Sequence, residues 1–251
     1  MNSYAKVNIF LKITGTRDNY HELASRFVLI KTIHDKIEFV KSSNKTFTIK
    51  GNFECVLEQN TIYKAYKELA NLFPEVKSYF DAHIIEVEKN IPTHAGLGGG
   101  SSNAATFLLM TNKELSLNLS KKELAQIGLK VGADVPFFIY GYKSANVKGI
   151  GEVVEEFDEK DIDLEILPTG IECSTAKVFQ KFRSDFFKIT AIENIEALFE
   201  TDSLTLLKTL KPVNANDLLE PALSLCPTLE ESKKENYFLS GSGSTFFRLV
   251  E

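Results

Sequence analysis

The sequence PTHAGLGGGSSNAA, at residues 92–105, is the most informative stretch of this chain. Four glycines occupy position 96 and positions 98–100, and two serines then open a run that is typical of a helix. Glycine adopts positive φ without strain and lacks the Cβ that would keep a ligand away. Serine is favoured at helix N-termini, where the first N–H groups lack partners. A glycine bend that leads into a helix presents N–H donors at the positive end of a dipole, which predicts phosphate binding.

The segments on either side of this stretch favour a phosphate-binding loop over an ordinary surface loop. Residues 79–89 are rich in β-forming side chains and predict a strand, whereas residues 104–115 are mostly apolar and predict a buried helix. A glycine-rich stretch by itself is more often a loop or a hinge. A strand before it and a helix after it reverse that preference.

Two familiar phosphate-binding motifs do not fit the glycine-rich stretch. The P-loop requires a lysine, followed by a serine or threonine, directly after its last glycine, and no lysine follows Gly100. The dinucleotide fingerprint that would begin at Gly96 and Gly98 requires a third glycine where Ser101 stands. The sequence therefore predicts another type of phosphate loop.

The composition is that of an ordinary globular protein of 251 residues, with 43% hydrophobic and 25% charged residues. The net charge of −5 argues against nucleic-acid binding, which needs a large basic surface. The three cysteines lack the spacing of a metal site or a disulfide framework. The N-terminus lacks a signal-peptide pattern, and no apolar run approaches the ~18 residues of a membrane helix. We therefore expect a cytoplasmic protein with neither nucleic acid nor a membrane as partner, and the composition leaves open a local basic pocket for a phosphorylated small molecule.

The first part of the chain predicts a mainly antiparallel sheet. Residues 5–13 alternate, so that the odd positions form an apolar face while Lys6 and Asn8 lie together on the other face. A polar turn at residues 14–19 then reverses the chain. Further β-like runs follow, at residues 27–33, 36–40 and 45–50.

The rest of the chain predicts mostly helices. A helix begins near Asn60 or Thr61 and ends before Pro74, and the sequence SKKE at residues 120–123 is a capping box that opens another. Later helical patterns cover residues 175–182, 192–199, 204–210 and 217–225, and strands are predicted at 164–167, 237–239 and 246–250. An acidic run at residues 155–161 is typical of a solvated connection. We place a domain boundary there, with domains at 1–156 and 157–251.

Three separated blocks of sequence resemble those of the GHMP kinase superfamily. They are AKVN at residues 5–8, the stretch from Pro92 to Ser102, and SGSGST at residues 240–245. Three further matches resemble the branch of the superfamily that acts on a cytidine diphosphate-linked methylerythritol: Tyr20-His21, GGGSSNAA at 98–105 and GADVPF at 132–137. The resemblance covers nearly the whole chain. It implies an α+β, two-domain architecture with the active site in the interdomain cleft.

The same resemblance implies a function. The γ-phosphoryl group of ATP would pass to the 2-hydroxyl of the methylerythritol moiety, a step of the non-mevalonate pathway to isoprenoid precursors. Mg²⁺ is the default metal for ATP chemistry, although the sequence assigns no metal ligands. Two alternatives stay open: another small-molecule kinase of the superfamily, such as a homoserine kinase, or a nucleotide-binding regulator without catalysis.

The implied site residues fall into three groups. Asp134 matches the catalytic carboxylate of the family and would act as general base, and Lys6 matches its catalytic lysine. Substrate binding falls on Asn8, Tyr20, His21, Thr175 and Phe179. ATP binding falls on the glycine-rich stretch, namely Pro92, Thr93, His94, Ala95, Gly96, Leu97, Gly98, Gly99, Gly100, Ser101 and Ser102. His94 and Ala95 depart from the family pattern, which has glycine or another small residue at these positions.

Overall fold

The computed structural model describes residues 1–18 and 20–250, and it confirms the predicted α+β class. The strands are β1 (Asn2–Arg17), β2 (Tyr20–Lys41), β3 (Ile49–Lys50), β4 (His83–Glu88), β5 (Ser144–Gly149), β6 (Val153–Glu156), β7 (Leu164–Pro168), β8 (Phe238–Leu239) and β9 (Thr245–Leu249). The helices are α1 (Thr61–Leu72), α2 (Pro74–Phe80), α3 (Gly99–Glu114), α4 (Lys121–Leu129), α5 (Val135–Tyr140), α6 (Thr175–Lys181), α7 (Ile192–Glu200), α8 (Ser203–Thr209), α9 (Pro212–Ala215), α10 (Leu219–Leu225) and α11 (Thr228–Ser232). In this described part of the chain, no helix is both long and apolar enough to cross a bilayer.

The strands differ from the sequence prediction in four places. The β-like runs at 27–33 and 36–40 belong to one long strand, β2. The strand expected from residue 79 begins only at His83, because Pro74 opens a helix that uses the next residues up to Phe80. The run at 45–50 forms a strand only at its last two residues. The predicted turn at 14–19 is narrower, since β1 continues to Arg17; Asn19 lies outside the described residues.

The chain forms two compact units, and each unit is assembled from separate stretches of sequence. The first unit comprises Met1–Ala5, Ile30–Ile91 and Gly98–Gly141. The second unit comprises Lys6–Leu29, Pro92–Leu97 and Tyr142–Glu251. The domain boundary placed between residues 156 and 157 stays a prediction.

The first unit packs helices against β3, β4 and the end of β2, which belong to a six-stranded sheet. β4 pairs antiparallel with the end of β2 and parallel with β3. Aromatic side chains fill the space behind this sheet: the ring centroid of Phe80 lies 5.1 Å from that of Phe39 and 5.3 Å from that of Phe107 on α3. The capping box predicted at Ser120 is present, because its hydroxyl accepts from the Glu123 N–H and the Glu123 carboxylate accepts in return.

The second unit contains strands β5 and β6 with the beginning of β2, a three-stranded sheet of β7, β9 and β8, and the buried side chain of Arg26. β5 pairs with the beginning of β2 and with β6, while β9 pairs with β7 and β8. The Arg26 side chain on β2 is fully buried; its Nε donates to Asn146 Oδ1 at 2.6 Å and Nη2 donates to Phe199 O at 2.8 Å. Burial lowers the pKa of Arg26 to about 10, so the guanidinium keeps its charge at neutral pH.

Candidate active site

β1 carries the Lys6 side chain into the interior of the second unit. Lys6 is 3% exposed, and its Nζ donates to Asn8 Oδ1 at 2.6 Å and to Gly96 O at 3.1 Å. The Nζ also lies 4.8 Å from the centroid of the Phe27 ring. The sequence predicted that Lys6 and Asn8 share a face of β1, but both faces of the strand are buried there. A buried ammonium is tolerated only where oxygen acceptors replace water, and these acceptors fix its position.

The Asn8 amide is oriented by a chain of hydrogen bonds that leads away from Lys6. Its Nδ2 donates to Ser25 Oγ at 2.9 Å, and the Ser25 hydroxyl donates in turn to the Phe10 carbonyl oxygen. Because the amide nitrogen is used in this way, Oδ1 is the atom that faces Lys6 and accepts from it. Asn8 therefore positions the lysine.

The segment 95–97 packs closely against the serine and glycine turn, residues 240–244, which precedes β9. Gly96 has a φ of +77°, and its carbonyl oxygen accepts from Ser240 Oγ at 3.0 Å as well as from Lys6. The Thr245 N–H donates to the Ala95 carbonyl oxygen at 3.1 Å. Two of the sequence blocks that resemble the kinase superfamily therefore lie in direct contact, and the third supplies Lys6.

This contact leaves no room for a side chain at Gly96. A Cβ there would lie 2.0 Å from the Ser240 carbonyl oxygen. We expect Gly96→Ala to lower the free energy of unfolding by about 2–5 kcal/mol, since the backbone must move as well as bear a strained φ. Urea denaturation measures this loss.

Gly170→Ala is the matched control for Gly96→Ala. Gly170 has a similar φ of +73°, but a Cβ there would meet nothing within 4 Å. Only the conformational cost of about 1–2 kcal/mol applies at Gly170. Equal losses in the two variants would show that the close packing of Gly96 against the turn contributes nothing to stability.

The N-terminus of α3 lies in the first unit and has no side-chain cap. Gly98 occupies the N-cap position with a φ of +71°, and the Ser102 N–H donates to its carbonyl oxygen at 2.8 Å. In contrast, Asn60 caps α1 and Ser120 caps α4 with a side-chain oxygen. The N–H groups in the first turn of α3 are therefore not used by a cap, as expected of a helix that binds an anion.

A buried carboxylate that the sequence analysis missed fixes the approach to α3. Asp35 is fully buried and accepts from the backbone N–H of Asn90 at 2.7 Å and of Ile91 at 2.8 Å. It also accepts from Asn103 Nδ2 at 2.8 Å and pairs with the Lys89 ammonium. Asp35 lies between two β-like runs, where an aspartate is typical of a turn, so the sequence offers no signal for this role.

The same network reaches the second serine of the glycine-rich stretch. Asn103 Nδ2 donates to Ser3 Oγ at 2.9 Å, and the Ser3 hydroxyl donates to Ser102 Oγ at 2.7 Å. Buried polar groups that are fully hydrogen-bonded in this way rigidify their surroundings. The first turn of α3 is therefore held to β1 and to the segment after β4.

Asp134 lies at the start of α5, at the end of a turn that contacts α3. The side chain is half-buried, and Pro136 follows in the first turn of the helix. A Cβ built on Gly132 would lie 3.5 Å from Ser101 Oγ, so this turn passes beside the first turn of α3. Within the first unit, the predicted catalytic carboxylate is thus on a short segment next to the predicted phosphate-binding helix.

Two of the predicted substrate residues form a stack in the second unit. The rings of His21 and Phe179 are 5.2 Å apart and nearly parallel, at 27°. Burial, and to a lesser extent the charge of Arg183, lowers the pKa of His21. His21 Nε2 is buried and has no hydrogen-bond partner among residues 1–18 and 20–250, which is unusual for an imidazole nitrogen.

Two further predicted substrate residues, Thr175 and Tyr20, differ in their surroundings. Thr175 begins α6, and its Oγ1 accepts from Ser242 Oγ at 2.9 Å, so α6 is tied to the serine and glycine turn. Tyr20 is 63% exposed at the start of β2. The structure therefore brings His21 and Phe179 together and leaves the Tyr20 ring largely open to solvent.

Comparison with known proteins identifies the relatives of the chain. Residues 60–142 match the family described as GHMP kinases N terminal domain. A 4-diphosphocytidyl-2-C-methyl-D-erythritol kinase of Sulfurimonas denitrificans is 51% identical over 99% of this chain and 96% of its own length. The enzyme of the same name from a Sulfurovum species is 46% identical over 100% of this chain and 99% of its own length.

A solved structure of the same description agrees in fold. The crystal structure of a 4-(cytidine 5'-diphospho)-2C-methyl-D-erythritol kinase superposes with a TM-score of 0.77 at 30% identity and covers 100% of this chain and 90% of its own. Identity and coverage of this extent establish common ancestry along the whole chain. The chain is a small-molecule kinase and belongs to the 4-diphosphocytidyl-2-C-methyl-D-erythritol kinase family of GHMP kinases.

Proposed function

We propose that the protein transfers the γ-phosphoryl group of ATP to the 2-hydroxyl of 4-diphosphocytidyl-2-C-methyl-D-erythritol, in the non-mevalonate pathway to isoprenoid precursors. The observation that carries this proposal is the buried Lys6 ammonium, held against the carbonyl oxygen of Gly96 within the glycine-rich stretch. Relatives that bear the name of this activity align with the chain from end to end. The runner-up is a kinase of the same superfamily that acts on another alcohol, such as a homoserine kinase.

Lys6 and Asp134 are the groups that we assign to the chemical step. The substrate hydroxyl oxygen forms a bond to the γ-phosphorus, and the bond from that phosphorus to the bridging oxygen of ADP breaks. Asp134 accepts the hydroxyl proton. The Lys6 ammonium stabilises the negative charge on the transferring group, and it needs no reorganisation because Asn8 and Gly96 already hold it.

The glycine-rich stretch is assigned to the triphosphate of ATP. The uncapped N-terminus of α3, after Gly98, offers N–H donors to the phosphate oxygens. The described residues contain no group of three or more His, Cys, Asp or Glu that could enclose a metal ion. Mg²⁺ is commonly held by nucleotide phosphates and water with only one or two carboxylates, and Asp134 is a carboxylate beside the first turn of α3 that would suit this arrangement. The ion would neutralise phosphate charge.

The His21 and Phe179 stack is assigned to the cytosine ring of the substrate. Aromatic faces suit a flat base, and a neutral imidazole accepts a hydrogen bond from an exocyclic amino group. His21 Nε2 is already desolvated, so a ligand atom that pairs with it recovers a hydrogen bond at no further cost to that nitrogen. Thr175 and Asn8 are assigned to the same substrate, while Tyr20 is assigned to the exposed side of the base.

Replacement of His21 by alanine tests the assignment of the base. We expect the KM for the cytidylyl substrate to rise about 10- to 100-fold, because the variant loses one hydrogen bond to the base and part of an aromatic stack. The KM for ATP should stay within twofold. Steady-state kinetics with each substrate varied in turn measures the two values. His83→Ala is the control, since His83 stacks on Tyr79 in the first unit. Equal changes in both KM values for His21→Ala would contradict the assignment.

His21 should also make the KM for the cytidylyl substrate depend on pH. Because the pKa of His21 lies below its ordinary value of 6.5, the ring is neutral above that pH and gains a proton only in more acidic solution. The charged ring has no lone pair to offer, so the KM for the cytidylyl substrate should be constant above pH 6.5 and rise below it. His21→Ala should abolish this acid limb. An acid limb that persists in the variant would assign it to another group.

One assay separates the proposed function from its alternatives. ATP consumption is measured with the cytidylyl methylerythritol substrate, with homoserine, and with neither. We expect turnover only with the first. Turnover with homoserine alone would indicate another branch of the superfamily, and no turnover with any substrate in the presence of tight ATP binding would indicate a regulator.

A further inference from the structure

Two cysteines that are distant in sequence meet in the second unit. Cys173 lies in the segment between β7 and α6, immediately before Ser174 at the N-cap of α6. Cys226 is the C-cap residue of α10. Their sulfur atoms are 2.8 Å apart although 53 positions separate the residues, and both are free thiols. The sequence spacing gave no sign of this contact.

The distance between the two sulfur atoms is close to that of a covalent bond. A disulfide has an S–S length of about 2.05 Å, so the pair at 2.8 Å is less than 1 Å from bonding distance. The two segments are therefore already arranged for a bond between them.

The pair is accessible to small molecules from a neighbouring cavity. This cavity measures about 420 Å³ and is lined by His94, Glu172, Lys177, Leu225 and the two cysteines. Cys226 is partly exposed, whereas Cys173 is fully buried. A small polar oxidant that enters the cavity therefore meets Cys226 first.

We propose that Cys173 and Cys226 form a modification site, at which a peroxide converts the two thiols into a reversible intramolecular disulfide. The Cys226 thiolate attacks one peroxide oxygen, the O–O bond breaks, and hydroxide leaves, so that Cys226 becomes a sulfenic acid. Cys173 then loses its proton and attacks the sulfenic sulfur; the S–S bond forms and the hydroxyl leaves as water. In total, two thiols and one hydrogen peroxide give one disulfide and two waters, and the thiols supply both electrons.

The order of the two steps follows from burial. Desolvation raises the pKa of Cys173 to about 12, so this thiol is almost fully protonated at neutral pH and is a poor first nucleophile. It acts second, where its fixed position beside Cys226 replaces a diffusional encounter. The resulting bond would tie the start of α6 to the end of α10. Since α6 begins at Thr175, the modification lies next to the proposed substrate residues without using any of them.

The chain of 251 residues, purified in reduced form, is treated with hydrogen peroxide and then analysed by intact mass, thiol titration and peptide mapping. The sequence has three cysteines, so we expect the free thiol count to fall from three to one, with the mass of two hydrogens lost. Mapping should find Cys173 linked to Cys226, and dithiothreitol should restore both thiols. Closing a loop of this length should raise Tm by roughly 5–15 °C.

Variants in which one cysteine at a time is replaced by serine provide the controls. Cys55→Ser removes the exposed third thiol and should leave the reaction unchanged, whereas Cys226→Ser should abolish the crosslink. Three outcomes overturn the proposal: both thiols survive treatment, Cys226 proceeds to sulfinic acid without a crosslink, or the disulfides formed are intermolecular ones through Cys55. Peptide mapping of the unmutated protein decides between these outcomes even if a variant folds poorly.

Discussion

An Asp134→Asn variant is expected to bind ATP as well as the unmutated protein and to lose about 10²- to 10⁴-fold in kcat. Asparagine has nearly the same size and shape as aspartate, so the half-buried turn before α5 should keep its conformation. The amide cannot accept a proton from the substrate hydroxyl at neutral pH, because it has no basic oxygen. The expected loss therefore falls on turnover and spares binding.

Three measurements separate an effect on turnover from effects on ATP binding and on folding. The rate of substrate phosphorylation gives kcat, calorimetric titration gives the ATP affinity, and the thermal unfolding midpoint reports whether the variant is folded. Asp158→Asn is a matched control, since Asp158 is exposed in the segment after β6 and should keep full activity. A folded Asp134→Asn protein with a normal kcat would remove Asp134 from the proposed mechanism.

A Lys6→Met variant is expected to lose about 10²- to 10³-fold in kcat, the usual effect of removing one preorganised group that stabilises developing charge. Methionine fills similar space but carries no charge and no donor. Asn8 Oδ1 and Gly96 O lose a partner, while the cost of keeping an ammonium buried disappears. We therefore expect a smaller effect on stability than on turnover.

A second lysine on β1 provides the control for Lys6→Met. Lys12 lies on the same strand and forms an ion pair with Asp217, with no role in the proposed chemistry. Lys12→Met should reduce the thermal unfolding midpoint and keep kcat within about twofold. If Lys6→Met lost activity only in proportion to its unfolded fraction, the ammonium would be a structural group and the assigned role would be wrong.

Local sequence predicted much of the helical structure. The capping box at Ser120, the end of the first helix before Pro74, and the helices in the second half of the chain all depend on neighbours within a few residues. Capping, proline geometry and helical periodicity are local properties, so a single sequence contains them. The boundaries of the strands were less predictable, because a strand begins and ends according to which partner pairs with it.

Some residues of the candidate site could likewise be predicted from the sequence, whereas others could not. Residues 96–102 were predicted to bind phosphate from glycine content and flanking pattern, and Lys6 was predicted to be catalytic from its resemblance to a kinase block; both stay predictions. In contrast, Asp35 was missed, since a carboxylate with four donors around it looks in sequence like any turn aspartate. The stack of His21 on Phe179 joins residues 158 positions apart, and only the resemblance to a family suggested it.

The sequence by itself determined that a glycine bend leads into a helix and that a lysine and an asparagine share one face of a strand, because backbone preference and side-chain alternation act between neighbours. The tertiary structure decided that this lysine is buried against the Gly96 carbonyl oxygen, that Asp35 holds the start of α3, and that Cys173 meets Cys226. Burial and contact between distant residues arise only when the chain is packed, since desolvation depends on everything that surrounds a group rather than on its neighbours in sequence.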